Sequence, residues 1–339
     1  MANVIALMMR KGGAGKTTLT LLLADALARF GLRVLVIDLD PQGNASIGLG
    51  KKVQLETSGT TRLGGKAIMT PTTPTVIEVI DADADGIASE AIQIVDWGYA
   101  PEDAFYRGGP LFPGKIGTIG LISCYRALEI QAQSWRPSDL ERLAKAVLLP
   151  SEPGGTPPNH EWDVVLVDTP PGGSLISVQA AMAAHHALLV TQAQRFGVEA
   201  IPETLLLVED VRESYRRDEL EVIGLVFNEY VDRSNTQQNL IAQVRDAQEH
   251  HAEGYDVPLL KGRLPGYTVV DKSQNAEAPL SAYLGSSSDR ETARRVSQVA
   301  EGIAIQVIEA INHPQAAEIR AAWKTAWPES MRTPILEEV

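Results

Sequence analysis

A single cysteine, Cys124, stands in the 339 residues of this chain. No disulfide can form within it, and a reducing compartment suits such a sequence. One thiol is also too few for a cysteine-held zinc or iron–sulfur site within one chain. Long apolar runs are missing as well: none approaches the ~20 residues that a membrane-spanning helix needs. The first apolar run starts at residue 3, so no signal peptide is expected, and a cytoplasmic location is. Basic charge is in short supply: Lys and Arg number 30 against 43 Asp and Glu, a net charge of −13. Such a chain repels nucleic acid on the whole, and DNA binding would need a local basic patch. The alternation of acid and alanine at 81–85 lacks the further acids of a calcium loop and reads as a solvated turn.

What the chain has is an ordinary globular composition, 44% hydrophobic and 22% charged, with length enough for a large core. Its most informative stretch is Lys11-Gly12-Gly13-Ala14-Gly15-Lys16-Thr17-Thr18. The run Val4-Ile5-Ala6-Leu7-Met8-Met9 precedes it and an apolar-rich segment, 19–30, follows. That order is strand, glycine loop, helix. Glycines let successive backbone N–H groups turn inward as a cradle for phosphate oxygens. The helix that follows aims its positive dipole end at the same anion. Lys16 reaches the outer phosphates and the Thr17 hydroxyl holds Mg²⁺ in this arrangement. The ordinary phosphate loop has glycine six residues before its final lysine. Here that place is Arg10, and a second lysine, Lys11, follows it.

Two further runs carry carboxylates. Val34-Leu35-Val36-Ile37 leads into Asp38-Leu39-Asp40-Pro41-Gln42-Gly43-Asn44. Side chains two apart on a strand share a face, and ligands of parallel sheets bind beyond the carboxyl ends of the strands. One of Asp38 and Asp40 is expected to help hold Mg²⁺ or its waters, the other to orient an attacking water. Val164-Val165-Leu166-Val167 likewise ends in Asp168, followed by Thr169-Pro170-Pro171. Asp168 is expected to bind Mg²⁺ through water or to hydrogen-bond Thr17.

Alternating strand and helix signals predict an α/β fold: a mainly parallel, twisted sheet covered by helices on both faces. Strands are expected at 3–8, 33–38, 118–122, 163–168, 187–191, 222–227 and 258–264. Helices are expected at 16–30, 137–148, 199–213, 235–250, 288–311 and 316–327. The Gly-, Thr- and Lys-rich stretch 51–75 reads as a loop or mobile insertion, and 151–159 as a solvent loop.

Taken together, these motifs resemble the ParA family of partition ATPases, with its deviant Walker A loop KGGxGKTT. The likeness rests on Lys11–Thr18, on Asp38 through Ala45 and on Asp168-Thr169-Pro170-Pro171. It continues through 177–184, Val190-Thr191, 224–233 and Leu264-Pro265, so it covers most of the chain. Longer-than-usual segments at 51–75 and about 97–115 depart from the family pattern. No DNA-reading domain is expected ahead of the loop. One ATPase domain over 1–312 is expected, with a C-terminal helix and tail, 313–339, packed on its body.

The resemblance implies ATP and Mg²⁺ as cofactors and a homodimer that sandwiches two nucleotides. It implies that Lys11 reaches the partner's phosphate, that Asp40 orients the attacking water and that Thr17, Asp38 and Asp168 serve the metal. The loop residues Gly12, Gly13, Ala14, Gly15, Lys16, Thr17 and Thr18 would hold the phosphates. Asn228 and Pro265 would border the adenine. Nonspecific DNA would lie along Arg233, with Arg263, Lys272, Arg294 and Arg295 as further candidates, since Val269 stands where the family has a second basic position. A ParB-like centromere-binding protein would be the stimulating partner, and the nucleoid the place of work. Positioning of protein cargo, of carboxysome or chemoreceptor type, is the alternative within the family. A MinD-like membrane role would need a basic amphipathic tail, and this one ends in Glu337-Glu338-Val339. A biosynthetic synthetase of the same superfold seldom has both Lys11 and the Asp-Pro-Gln-Gly-Asn run.

Overall fold

The computed structural model describes residues 2–60, 67–96, 117–231, 234–252, 254–266, 268–283 and 285–326. The expected insertion at 97–115, Arg233 and the tail from residue 327 lie outside them. The N-terminal half runs β1 (Asn3–Met8), α1 (Lys16–Arg29), β2 (Val34–Asp38), α2 (Asn44–Gly48), β3 (Leu55–Thr60), β4 (Ala67–Pro71), α3 (Val76–Ala82), β5 (Gln93–Val95), β6 (Ile119–Ile122), α4 (Ala127–Ala132) and α5 (Arg142–Leu148). The rest runs β7 (Val164–Asp168), α6 (Leu175–Ala183), β8 (His186–Gln192), α7 (Arg195–Tyr215), β9 (Glu221–Tyr230), α8 (Asn235–Glu249), β10 (Leu259–Pro265), α9 (Thr268–Asn275), α10 (Ser287–Ala310) and α11 (Ala316–Ala326).

Among the described residues, eight strands form one sheet in the order β10-β9-β8-β1-β7-β2-β6-β5. All pairs are parallel except β5 with β6 at the edge. The expected mainly parallel sheet is therefore present. Its central strands β1, β2 and β7 are apolar through their middles, with polar residues kept to their ends, because both faces are covered. Val4, Ala6 and Met8 of β1 join the core on one face, and Ile5 and Leu7 join the core on the other. Side chains alternate across a strand, so a continuous apolar run feeds both layers.

Topology also brings the motifs together. β7 inserts between β1 and β2, so three motif-bearing strands end side by side. Asp168 pairs in register with Leu7 of β1 and with Asp38 of β2. At the far end of α1, Arg29 forms a buried ion pair with Glu301 of α10. The other Glu301 oxygen accepts from Trp323 Nε1 of α11 at 2.8 Å. Trp323 is fully buried, which fastens the C-terminal helix to the body.

Three expectations change. The stretch 51–75 holds an antiparallel two-stranded ribbon, β3 with β4, rather than a plain loop. Cross-strand backbone bonding does not require apolar alternation, so the glycines and the lack of alternation concealed it despite its threonines. The expected helix 137–148 is a short 3₁₀ turn, Pro137–Asp139, followed by α5. Helix α7 begins at Arg195, four residues before the expected start at 199, and carries Pro202 in its interior.

Candidate functional site

β1 ends at Met8 and the chain turns through the glycine loop into α1. The N-cap of α1 is Gly15, in the left-handed region with φ of 94°, with no side-chain cap and no acid in the first turn. The first N–H groups of the helix thus keep their donor capacity for an anion. A side chain at Gly15 would strike the Asn228 amide nitrogen, 1.8 Å from where its Cβ would lie.

The two loop lysines occupy different settings. Lys16 is buried, and its Nζ donates to the Met9 carbonyl at 3.1 Å, inside its own loop. Burial pushes its ammonium below the usual lysine range, against the pull of Asp168 and Asp40. Lys11 lies half-buried at the outer rim, its Nζ 5.7 Å from the centre of the Phe196 ring. Phe196 is 71% exposed.

Behind the loop stands a carboxylate group. Asp168 accepts from Thr17 Oγ1 at 2.7 Å and from Thr20 Oγ1 at 3.3 Å. Asp38 accepts from the Ser46 backbone N–H at 2.8 Å and from Ser46 Oγ at 2.7 Å through one oxygen. Its other oxygen accepts from the Asp40 N–H at 3.1 Å. Asp40 accepts from the Gln42 N–H at 2.9 Å. Burial is the first cause of raised carboxyl pKa values at all three. Asp168 is pushed up to about 8, with the Asp38 charge adding to burial. Asp38 is pushed up to about 6, held down in part by the Ser46 hydrogen bonds.

Among the described residues no three His, Cys, Asp or Glu side chains close into a metal cage. Two buried carboxylates and the Thr17 hydroxyl form instead a partial, all-oxygen donor set. That suits Mg²⁺, which keeps waters and shares phosphate oxygens. Buried carboxylates raised in this way call for a cation to keep them ionised.

Residues 5–280 match the CobQ/CobB/MinD/ParA nucleotide binding domain. The chain belongs to this family. Chromosome partitioning protein ParA of Caulobacter vibrioides is 29% identical over 244 residues, 72% of this chain and 75% of that protein. Chromosome-partitioning ATPase Soj of Thermus thermophilus is 30% identical over 242 residues, 71% of this chain and 75% of its own. In fold, the chain is similar to Cyanothece McdA solved with ATP, at a TM-score of 0.64 and 18% identity, covering 92% and 96% of the two chains.

Within this ParA/MinD-type frame the expected loop and carboxylate residues converge. Gly12 and Gly13 are exposed on the loop, Ala14 is buried, and Thr17 and Thr18 are half-buried in the first turn of α1. Pro265 ends β10, paired with Tyr230 of β9, at the same sheet edge as Asn228. Asn228 has a loop partner: its Nδ2 donates to the Ala14 carbonyl at 3.2 Å.

Among the described basic candidates, Lys272 is ion-paired and Arg263 packs on a tyrosine. Arg263 is half-buried, 4.8 Å from the Tyr230 ring centre, and donates to the Tyr230 hydroxyl at 3.0 Å. Lys272 is paired with Asp289 at 2.8 Å. Arg294 and Arg295 stand on α10, the first half-buried and the second exposed.

Sequence reasoning missed Ser46, Thr20 and Gln192. Thr20 lies one turn beyond Lys16 on α1, a helical spacing that could have placed it beside Asp168. Ser46 reaches back eight residues to Asp38 through α2, with no local pattern to announce it.

Proposed function

We propose that this chain is a ParA-type partition ATPase that hydrolyses ATP with Mg²⁺. Its organisation is one ATPase domain over 1–312 with 313–339 packed on it. Two protomers pair when both hold ATP, the pair binds nonspecific DNA on the nucleoid, and a ParB-like partner stimulates slow hydrolysis that resets it. The observation that carries this reading is the different placement of the two loop lysines. Lys16 is buried beside its own loop, where it neutralises its own nucleotide's phosphates. Lys11 sits outward at the rim, where a second copy can meet it.

The chemistry follows from the placement. Thr17, Asp38 and Asp168 would hold Mg²⁺, which would neutralise charge on the phosphate oxygens. Asp40 orients a water in line with the γ-phosphorus. The water oxygen bonds to phosphorus as the bond to the β,γ-bridging oxygen breaks, and the water's proton passes to the phosphate product, leaving ADP and hydrogen phosphate. Loop N–H groups, Lys16 and the partner's Lys11 offset the charge of the transition state.

A second reading within the family, positioning of protein cargo, draws support from the engaged state of Arg263 and Lys272. The test of the main reading compares Lys16→Ala with Lys11→Ala by calorimetry and light scattering. Lys16→Ala should lose MgATP binding. Lys11→Ala should keep binding of one nucleotide and lose the dimer. Equal loss of nucleotide affinity in both, with wild type dimerising, would count against the role in trans.

A further inference from the structure

Gln192 of β8 and Asn228 of β9 are register partners at the carboxyl ends of two adjacent parallel strands. Both side chains turn to the phosphate loop. Gln192 Nε2 donates to the Gly13 carbonyl at 2.9 Å, and Asn228 Nδ2 donates to the Ala14 carbonyl at 3.2 Å. A carbonyl only accepts, so each amide must present its N–H side.

The consequence lies in the peptide plane. In a trans peptide the C=O and the following N–H point in opposite directions. Holding the Gly13 carbonyl therefore aims the Ala14 N–H the other way, and holding the Ala14 carbonyl does the same for the Gly15 N–H. Among the described residues neither of these N–H groups donates to another backbone carbonyl. Two successive N–H groups fixed on one side make an anion nest.

One glycine makes room for the Asn228 amide and another for the backbone that follows Gln192. A Cβ at Gly15 would lie 1.8 Å from Asn228 Nδ2. A Cβ at Gly197 would lie 2.4 Å from the Gln192 carbonyl and 2.8 Å from Thr191 Oγ1. Gly197 thus permits the tight turn after Gln192, in which the Gln194 N–H donates back to the Gln192 carbonyl at 2.8 Å. That turn leads into α7, whose second residue, Phe196, lies under Lys11.

We propose that Gln192 and Asn228 form a paired amide clamp that presets the phosphate loop, with the diphosphate part of a nucleotide as the group it serves. Both are positioning residues, acting on phosphate through the N–H groups of Ala14 and Gly15. The clamp rests on the nucleotide-binding reading above. It gives Asn228 a task at the phosphates instead of at an adenine edge.

The test measures ADP and inorganic pyrophosphate, each in competition with a fluorescent ADP analogue, together with melting of the ligand-free protein. Wild type is compared with Gln192→Ala, Gln192→Glu, Asn228→Ala and Asn228→Asp. Each alanine variant should lose about 3- to 10-fold in affinity for both ligands by the same factor, as expected for one hydrogen bond. The Glu and Asp variants should lose more, because a carboxylate then faces a carbonyl oxygen and the phosphates. Ligand-free melting should stay near wild type in the exposed Gln192 variants and fall modestly in those of the buried Asn228. The Gln192→Ala/Asn228→Ala pair should lose less than the product of the single losses, since one loop is freed in both. If Asn228 variants weaken ADP and spare pyrophosphate, the residue serves the base and the clamp is wrong. Unchanged affinities in the alanine variants overturn it too. A wild type that binds neither ligand overturns the nucleotide reading itself, a separate result.

Discussion

Asp38 and Asp168 are register partners across β2 and β7, both fully buried, with their strands ending at one point behind the phosphate loop. Asp168 meets α1 through Thr17 and Thr20, and Asp38 meets α2 through Ser46. Two carboxyls from different motifs are therefore fixed by two different helices. Their charge is costly without a cation, which sets a pH dependence.

The Asp168 carboxyl is raised from the ordinary 3.8 to about 8 by burial and by Asp38. Between those values the folded protein keeps a proton that the unfolded chain has released. Stability of the metal-free protein therefore falls as pH rises through that window. Burial lowers the pKa values of His185, His186 and His313 below 6.5. These histidines add stability only as pH rises towards 6.5, and above pH 7 their contribution is flat. Melting without Mg²⁺ should thus drop between pH 7 and 8.5, and Asp168→Asn should abolish most of that slope. Equal slopes in wild type and Asp168→Asn would remove the raised carboxyl from the explanation, since the lowered Lys16 ammonium pulls the other way as pH rises towards 10.5.

Mg²⁺ with ADP should release protons on binding, because a cation ionises carboxyls that burial keeps protonated. Calorimetry in two buffers of different ionisation enthalpy reads the number released. More should come off at pH 7 than at pH 9, where Asp168 is already ionised. A buffer-independent heat at pH 7 would contradict this.

Removing Asp40 should separate binding from turnover. Its carboxylate is bonded to the Gln42 N–H within its own turn, and as an anion it is not a phosphate-binding group, so nucleotide binding should survive Asp40→Ala. Hydrolysis should fall on the order of 10²–10⁴-fold, the usual contribution of a positioned acid or base. ATP binding should persist and the dimer accumulate. Turnover near wild type would pass the water-orienting role to another residue, with Asp38 next.

The C-terminal helix gives a stability test. Trp323→Ala removes a fully buried indole and should cost about 3–5 kcal/mol. Trp323→Phe retains most of the packing and removes the 2.8 Å bond to Glu301, for about 1–3 kcal/mol. Chemical denaturation should rank them in that order. Equal, small losses would mean that α11 is not fastened by this residue.

Much of this was legible in the residues, for a physical reason. Strands covered on both faces are apolar through their middles, so β1, β2, β7 and β8 announce themselves as runs. The phosphate loop and the strand-final carboxylates are local patterns, and their convergence follows from parallel topology. The clamp was not legible. Gln192 lies one residue past the expected strand 187–191, and an amide reaching a carbonyl 179 residues away leaves no periodic trace. The basic residues show the same limit. Composition counts Lys272 as a charge, and only the fold reveals Asp289 beside it.

DNA binding is where charge counting and structure pull apart. At −13 per chain, one protomer is repelled by phosphate, while a pair can align two copies of a local patch along one groove. Binding of a random duplex should therefore require ATP and the dimer. Affinity should fall with salt by about 0.9 in the log–log slope for each phosphate contacted. Arg233→Ala should flatten that slope by roughly one contact per chain and leave ATP binding intact. Arg263→Ala should leave the slope nearly unchanged, because its guanidinium is committed to Tyr230. The measurement is fluorescence anisotropy with ATP, with ADP and without nucleotide, across a salt series. Equally tight binding in ADP and ATP would refute the switch. No binding in any state would favour protein cargo, since the same dimer cycle would then be reading a surface other than the phosphate backbone.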